Sequence, residues 1–133
     1  MVRNALLVSI VCCLLGGAAQ AQYNARPHLV VRSGALINMY KVSAINPDCS
    51  SLGPATINLV EAPQGGQAMV REMPDYLAFP PNNPRSACNH RRVMATELFY
   101  RSAPGFVGQD RFSAEIIDGV GVARIRHFSV EVR

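Results

Sequence analysis

Short segments in which apolar and polar residues alternate recur along most of this chain. The clearest are residues 56–60, 111–117 and 128–132. A period of two is typical of β-strands with one buried face. Turn-forming pairs such as Gly65-Gly66 and Asp118-Gly119 separate these segments at spacings that suit hairpins. The pattern predicts an all-β protein with two sheets packed face to face, because one small sheet would leave its apolar face uncovered.

The end of the chain predicts a hairpin over residues 111–132 that turns at Asp118-Gly119, where a tight turn requires positive φ angles. In the second strand of this hairpin, Ala123 and Ile125 are apolar at odd positions, but Phe128, Val130 and Val132 are apolar at even positions. One continuous pleat cannot bury both sets. Either a β-bulge near Arg126 or His127 restores the register, or the first half of the strand is an edge with a loosely defined facing.

Residues 72–92 have a different composition from the segments around them. They contain four prolines and three asparagines, so we expect a long irregular segment and no central strand. Loops of this length in compact domains are usually functional or disordered. We predict a tethered loop, because Cys88 can attach one end to the rest of the domain.

The first 21 residues have the features of a cleaved secretory signal peptide. Arg3 provides a positive n-region, residues 5–15 form an apolar h-region, and a small-x-small tripeptide ends at Ala21. The apolar run is shorter than the roughly 18 to 20 residues that span a bilayer. We therefore predict cleavage after Ala21, a single mature domain over residues 22–133 without a transmembrane anchor, and a periplasmic or secreted location.

Cys49 and Cys88 are the only cysteines after the predicted signal peptide. In an oxidising compartment such a pair is far more often a disulfide than a metal site or a nucleophile. The bridge would close a long loop, which the chain-entropy model values at about 4 kcal/mol. We predict a Cys49–Cys88 disulfide and a marked loss of stability on reduction.

The basic residues consist of arginine with one exception. Of thirteen basic residues, Lys41 is the only lysine, and the net charge of the chain is +4. An arginine bias follows genome composition as readily as function, and export argues further against nucleic-acid binding. The local cluster of Arg85, Arg91 and Arg92 leaves an anionic surface or polymer open as a partner.

Residues 100–119 carry the densest pattern of the chain. They read YRSAPGFVGQDRFSAEIIDG. This spacing resembles the bacterial Ig-like and cadherin-like repeat domains of exported proteins, whose pattern is Tyr-x-Pro-x-Pro-Gly-Phe-x-Gly-x-Asp-x-Phe-x-Tyr-x-Val-x-Asp-Gly. Ser102 and Ala114 depart from the pattern, and residues 62–66 are more weakly similar to the family's Pro-x-x-Gly turn. The resemblance covers the C-terminal third and implies a single Ig-like antiparallel β-sandwich.

The residue types of this segment suit that fold. Leu98 and Tyr100 share a strand face that we expect to point into the core. Gly105 and Gly108 permit a backbone turn, and Phe106 supplies apolar area that holds the turn against the sandwich.

Asp110 has two possible roles in this pattern. It can cap a turn by accepting backbone N–H bonds, which Asp commonly does. Calcium binding would need six to eight oxygen ligands, and the nearby carboxylates are only Glu115 and Asp118 besides Asp110 itself. We predict the turn cap.

Catalytic motifs are absent from the sequence. The three histidines are the only bases for neutral pH, no Gly-x-Ser-x-Gly elbow is present, and the predicted disulfide uses the thiols. We predict no enzymatic activity and no cofactor. The alternative is a periplasmic copper-binding β-sandwich, because methionine sulfur and histidine nitrogen are copper ligands. The available ligands have no Met-x-x-Met or His-x-Met spacing, and the methionines also suit the core; they are Met39, Met69, Met73, Met94, His28, His90 and His127.

An interaction module remains as the leading functional prediction. Its candidate surface is the irregular segment, since aromatic and arginine side chains dominate binding energy at interfaces. The predicted contact residues are Tyr76, Phe79, Arg85, His90, Arg91 and Arg92. The partner would be a protein or an anionic component of the bacterial envelope. Alternatively, Tyr76 and Phe79 fold onto the sandwich as a lid and the arginines are merely solvated.

Overall fold

The computed structural model describes residues 29–133, so the predicted signal peptide and its cleavage site lie outside the described residues. Nine strands make up most of this part of the chain. A 3-10 helix, Ser86–His90, lies between the sixth and the seventh strand. The strands are β1 (Leu29–Val31), β2 (Leu36–Val42), β3 (Ala44–Ile45), β4 (Ser51–Gly53), β5 (Thr56–Glu61), β6 (Gly66–Tyr76), β7 (Arg92–Ser102), β8 (Gly108–Ile117) and β9 (Ala123–Val132).

These strands form two main sheets and one short hairpin. One sheet has the order β1-β9-β8-β5, the other has the order β2-β7-β6, and β3 pairs with β4. Side chains of both sheets meet in one core, which confirms the predicted all-β sandwich. The pairings are antiparallel except that of β1, which runs parallel to β9. With only three residues, β1 is too short for a sequence pattern to indicate its direction.

The core is built around stacked aromatic rings from both sheets. The ring centroids of Tyr100 and Phe112 lie 5.7 Å apart, and those of Phe112 and Phe128 lie 5.0 Å apart. Tyr40 on β2 meets Phe128 edge-on at 6.3 Å. Leu98 and Tyr100 are fully buried on the inner face of β7, as predicted. Such aromatic pairs each add about 0.5–1.5 kcal/mol beyond the apolar area they bury.

The predicted β8–β9 hairpin is present, but its turn differs from the predicted one. Its register decides between the two alternatives for the second strand. The turn spans residues 118–122, and the positive φ is at Gly121 rather than at Gly119. Asp118 Oδ1 shapes it by accepting the N–H groups of Val120 and Val122. The pairing of β8 with β9 is continuous, so the predicted bulge near Arg126 or His127 is wrong.

The open alternative, an edge in the first half of β9, is correct. β1 pairs only with residues 130–132, which leaves the first half of β9 with one strand neighbour, β8. Ile125 lies on the outer face there and is exposed. The apolar residues at odd positions before residue 126 therefore need not be buried. The strand can pass from odd to even apolar positions without the extra residue of a bulge.

The irregular segment is shorter than predicted. β6 continues to Tyr76 and β7 begins at Arg92, so only residues 77–91 lie outside the sheet. Pro74 is accommodated because β6 is an edge strand of its sheet, the position in which a strand tolerates proline.

Candidate functional site

The loop of residues 77–91 is attached to the sandwich by the predicted disulfide. Cys49 and Cys88 are bonded, with their Cα atoms 5.6 Å apart. Cys88 is fully buried in the 3-10 helix, and Cys49 lies in the turn between β3 and β4. The bond therefore joins the loop to the β3–β4 hairpin rather than to either main sheet.

Hydrogen bonds hold the loop at further points. The side chain of Asn89 brackets Phe79, accepting its N–H at 2.8 Å and donating to its carbonyl oxygen at 2.9 Å. Arg85 Nε donates to the carbonyl oxygen of Ile45 at 2.6 Å. Arg85 and Cys88 thus attach the loop to the β3–β4 hairpin, while Asn89 closes the loop on itself at Phe79. The predicted attachment through Cys88 is present.

Four of the six predicted contact residues lie together at the surface. Tyr76 and Arg92 are direct neighbours across the β6–β7 ladder. His90 and Arg91 precede Arg92 in the chain, and all four are exposed, with Tyr76 at 54%. We call Tyr76, His90, Arg91 and Arg92 the arginine patch.

The other two predicted contact residues are placed differently. Phe79 is half-buried, and its backbone is bonded to the side chain of Asn89 in the same loop. Arg85 is half-buried, and its bond to Ile45 attaches the loop to β3. Tyr76 does not form a lid, because more than half of its surface is exposed.

The charges of the arginine patch are uncompensated. Within residues 29–133, neither Arg91 nor Arg92 takes part in an ion pair. Arg92 Nη2 donates to the neutral carbonyl oxygen of Pro74 at 2.9 Å, which fixes the side chain without neutralising it. The patch therefore presents net positive charge beside an exposed aromatic ring.

Asp110, the aspartate of the recognised pattern, is a buried turn cap. It is 4% exposed and accepts the backbone N–H groups of Gln64 at 3.0 Å and Gly65 at 2.9 Å. These residues lie in the turn between β5 and β6, so Asp110 on β8 joins the two motifs that the sequence singles out. Tyr100 donates its hydroxyl to Oδ2 at 2.8 Å. The predicted cap is confirmed.

These contacts leave Asp110 poorly suited to a cation. Both of its oxygens accept protein N–H or O–H groups, whose hydrogens would point at any bound ion. Asp118 likewise accepts two backbone N–H groups of its own turn. Burial, reinforced by the bond to Asp110, raises the pKa of the Tyr100 hydroxyl above its ordinary value. Gly105 and Gly108 have φ values of +80° and +130°, as the predicted turn requires.

The candidate copper ligands are dispersed among the described residues. Met39 packs against the core, Met73 and Met94 lie on opposite faces of neighbouring strands, and Met69 is half-buried on β6. Within residues 29–133 no three histidine, cysteine, aspartate or glutamate side chains are grouped to hold a metal. His28 lies outside the described residues.

A polar cluster on the outer face of the β2-β7-β6 sheet was missed by the sequence analysis. Glu97 alternates with inward-facing Leu98 on β7 and so points away from the core, yet it is only 3% exposed. Asn38 donates its amide to Glu97 Oε2, and Lys41 on β2 contacts Asp75 on β6. The only signal in the sequence was that Lys41 is the sole lysine.

The two carboxyl groups of this cluster have opposite electrostatic environments. Burial raises the pKa of Glu97, and the neighbouring Asp75 adds to the effect. The hydrogen bond from Lys41 lowers the pKa of Asp75, helped by the backbone N–H of Tyr76. Glu97 therefore retains a proton more readily than Asp75 does.

Within the described residues, no helix is long and apolar enough to cross a membrane. No protein-family model matches the chain, and no curated protein is significantly similar to it.

Proposed function

We propose that this protein is an exported, non-catalytic binding module of the bacterial envelope, with an Ig-like or cadherin-like sandwich that presents the arginine patch to an acidic partner. The export signal predicted for residues 1–21 and the Cys49–Cys88 bond support the location, because structural disulfides persist in oxidising compartments. The pattern of residues 100–119 supports the family.

The observation that carries the binding proposal is the combination of exposure and fixation at the arginine patch. Tyr76 and Arg92 are held by the β6–β7 ladder, and the disulfide and the hydrogen bond from Arg85 to Ile45 anchor the loop that leads to His90 and Arg91. A fixed surface loses little conformational entropy on binding, which favours affinity. Exposed tyrosine and arginine are also the side chains that most often dominate interface energies.

The partner's chemistry follows from the unpaired charges. Arg91 and Arg92 form no ion pair within the described residues, so a carboxylate-rich protein surface would supply partners for both charges. An anionic envelope polymer would attract the same charges but would make less use of the exposed ring of Tyr76. We therefore favour a protein partner.

The test compares three forms of the oxidised mature protein in pull-downs from the native envelope. The patch variant carries Tyr76→Ser, Arg91→Gln and Arg92→Gln, and a matched control carries Arg32→Gln and Arg101→Gln at exposed positions away from the loop. We expect wild type and control to retain the same protein and the patch variant to lose it, with affinity lower by roughly tenfold or more. Equal retention by all three forms would contradict the proposal.

A second measurement separates the protein partner from an anionic polymer. Binding to a protein surface should tolerate moderate salt, because the aromatic contact is not screened, whereas purely ionic adsorption should be lost. The copper alternative has no such support, because the candidate methionine ligands within the described residues lie on different strands and faces.

A further inference from the structure

Three neighbouring strands bring Lys41, Asp75 and Glu97 together on the outer face of the β2-β7-β6 sheet. Lys41 on β2 is the direct ladder partner of Glu97 on β7. Asp75 on the far edge strand β6 contacts the Lys41 ammonium, whose Nζ also lies 4.0 Å from Glu97 Oε1. The lysine thus reaches across the central strand from one edge of the sheet to the other.

Glu97 is placed in an unusual way for a residue on an outer sheet face. It is 3% exposed, and its Oε1 has no hydrogen-bond partner within the described residues, whereas Oε2 accepts the amide of Asn38. A buried carboxyl oxygen without a partner is costly and calls for an explanation. This oxygen is the one nearest Lys41 Nζ.

The residue type at position 41 is the second informative observation. Every other basic residue of the chain is arginine, and an arginine would serve an ion pair as well or better. Arginine cannot lose its proton in proteins, whereas a lysine amine can become neutral and act as a nucleophile. The only lysine of the chain therefore lies beside the carboxyl group of Asp75, which a neutral amine can attack, and beside Glu97, a buried group that can carry protons.

We propose that Lys41 Nζ and Asp75 Cγ become joined by an intramolecular amide bond, and that Glu97 carries the protons of this reaction. The bond would link β2 and β6, the two edges of the three-stranded sheet, across β7. Neither the binding proposal nor the family resemblance is needed for this inference.

The reaction balances without any co-reactant. Glu97 gives its proton to the Asp75 carboxylate and takes one from the Lys41 ammonium, which leaves a neutral amine beside a carboxylic acid. The lone pair of Nζ attacks Cγ, and the new C–N bond gives a tetrahedral centre. A second proton passes from nitrogen through Glu97 to a hydroxyl of that centre, and the C–O bond breaks with its electron pair to release water. The products are one amide and one water, and Glu97 returns to its starting state.

The geometry needs only a small adjustment for these steps. Hydrogen-bonded groups lie about 2.7–3.2 Å apart, so Nζ and Glu97 Oε1 must approach by about 1 Å. The carbonyl oxygen of Tyr76 accepts a hydrogen bond from Nζ at 3.2 Å and keeps the amine beside Asp75. Burial raises the pKa of Glu97 while the bond from Lys41 lowers that of Asp75, so of the two carboxyl groups Glu97 is the better proton carrier.

Intact mass of the exported protein tests the proposal against a Lys41→Arg variant, which keeps the charge but cannot form the bond. The mass of the variant, corrected for the difference between lysine and arginine, gives the mass of a wild-type chain without the bond. We expect the measured wild-type mass to be lower than this value by one water. Cyclisation of an N-terminal glutamine or dehydration at Asp118-Gly119 would occur in both proteins and cancel. A mass difference equal to the substitution alone would overturn the proposal.

Peptide mapping and a second variant locate the reaction. After reduction and digestion, the wild type should give a branched peptide that contains both Lys41 and Asp75; a water loss mapped elsewhere would overturn the proposal. Glu97→Gln keeps the size of the side chain and should leave the chain at full mass, with folding checked by circular dichroism. If a folded Glu97→Gln protein still forms the bond, the role of Glu97 is wrong.

Should the Glu97→Gln protein fail to fold, Asp75→Ala takes its place. Asp75 is on an edge strand and partly exposed, so its truncation should leave the sandwich intact. We expect full mass for this variant too. A water loss that survives in a folded Asp75→Ala protein would overturn the proposed bond.

Discussion

The hydroxyl of Tyr100 donates a hydrogen bond to Asp110 Oδ2 at 2.8 Å, with both residues buried. The same carboxylate accepts the backbone N–H groups of Gln64 and Gly65, so one side chain connects β7, β8 and the turn between β5 and β6. The most conspicuous polar residues of the sequence pattern therefore serve the fold.

We expect Asp110→Ala to lower the free energy of unfolding by roughly 3 kcal/mol, because four donors lose their acceptor, among them the buried Gly65 N–H and Tyr100 hydroxyl. Tyr100→Phe should cost about 1–2 kcal/mol, since the turn keeps its backbone bonds. Urea unfolding of both single variants and the double variant measures this. Additive losses in the double variant would show that the two side chains do not interact.

Stability should fall at alkaline pH through Tyr100. Its folded pKa is raised by burial, so its contribution is fully present below the unfolded pKa of about 10 and is lost as pH rises from there toward the folded pKa. Between about pH 9 and 11 the unfolding free energy of wild type should decrease more steeply than that of Tyr100→Phe. Parallel pH profiles for the two proteins would refute the assignment.

Loss of the disulfide should weaken the fold by about 4 kcal/mol, because the unfolded chain regains the freedom of a long loop. Thermal melts of wild type with and without reductant, beside a Cys49→Ser/Cys88→Ser variant, measure this. Reduced wild type should match the serine variant, and reductant should leave the serine variant unchanged. A reduced wild type that melts like the oxidised protein would contradict this prediction.

Gly66→Ala should be more damaging than Gly65→Ala. A methyl group at Gly66 would overlap the backbone carbonyl oxygen of Arg101 and the ring of Tyr100, neither of which can move freely. At Gly65 the nearest atoms that it would overlap belong to the ring of Phe106, which is partly exposed. We expect losses of about 3 kcal/mol at Gly66 and about 1 kcal/mol at Gly65 in urea unfolding. The reverse order would show that Phe106 is the less mobile obstacle.

The sequence predicted the features that local periodicity and turn chemistry determine. Leu98 and Tyr100 alternate with outward residues, so their burial could be read from the chain, and the Asp110 cap follows from the usual role of aspartate. The Cys49–Cys88 pair allowed only one connectivity. These predictions depend on neighbours in the chain or on composition.

Features that depend on neighbouring strands could not be read in this way. Glu97 occupies an outward position, for which a charged residue predicts exposure, and only the pairing of β2, β7 and β6 shows that it is buried beside Lys41. The extent of β6 was also underestimated, because Pro74 is compatible with a strand only at a sheet edge. The patch formed by Tyr76 and Arg92 likewise exists only through their register across two strands.

The parallel pairing of β1 with β9 determines how the sandwich would respond to mechanical load. Leu29 pairs with Val130 and Val31 with Val132, and backbone hydrogen bonds continue to Ser33 and Arg133. Tension between Leu29 and Arg133 would pull these two strands in opposite directions along their length. The hydrogen bonds between them lie across the pulling direction, so they would be loaded in shear and break together rather than one after another.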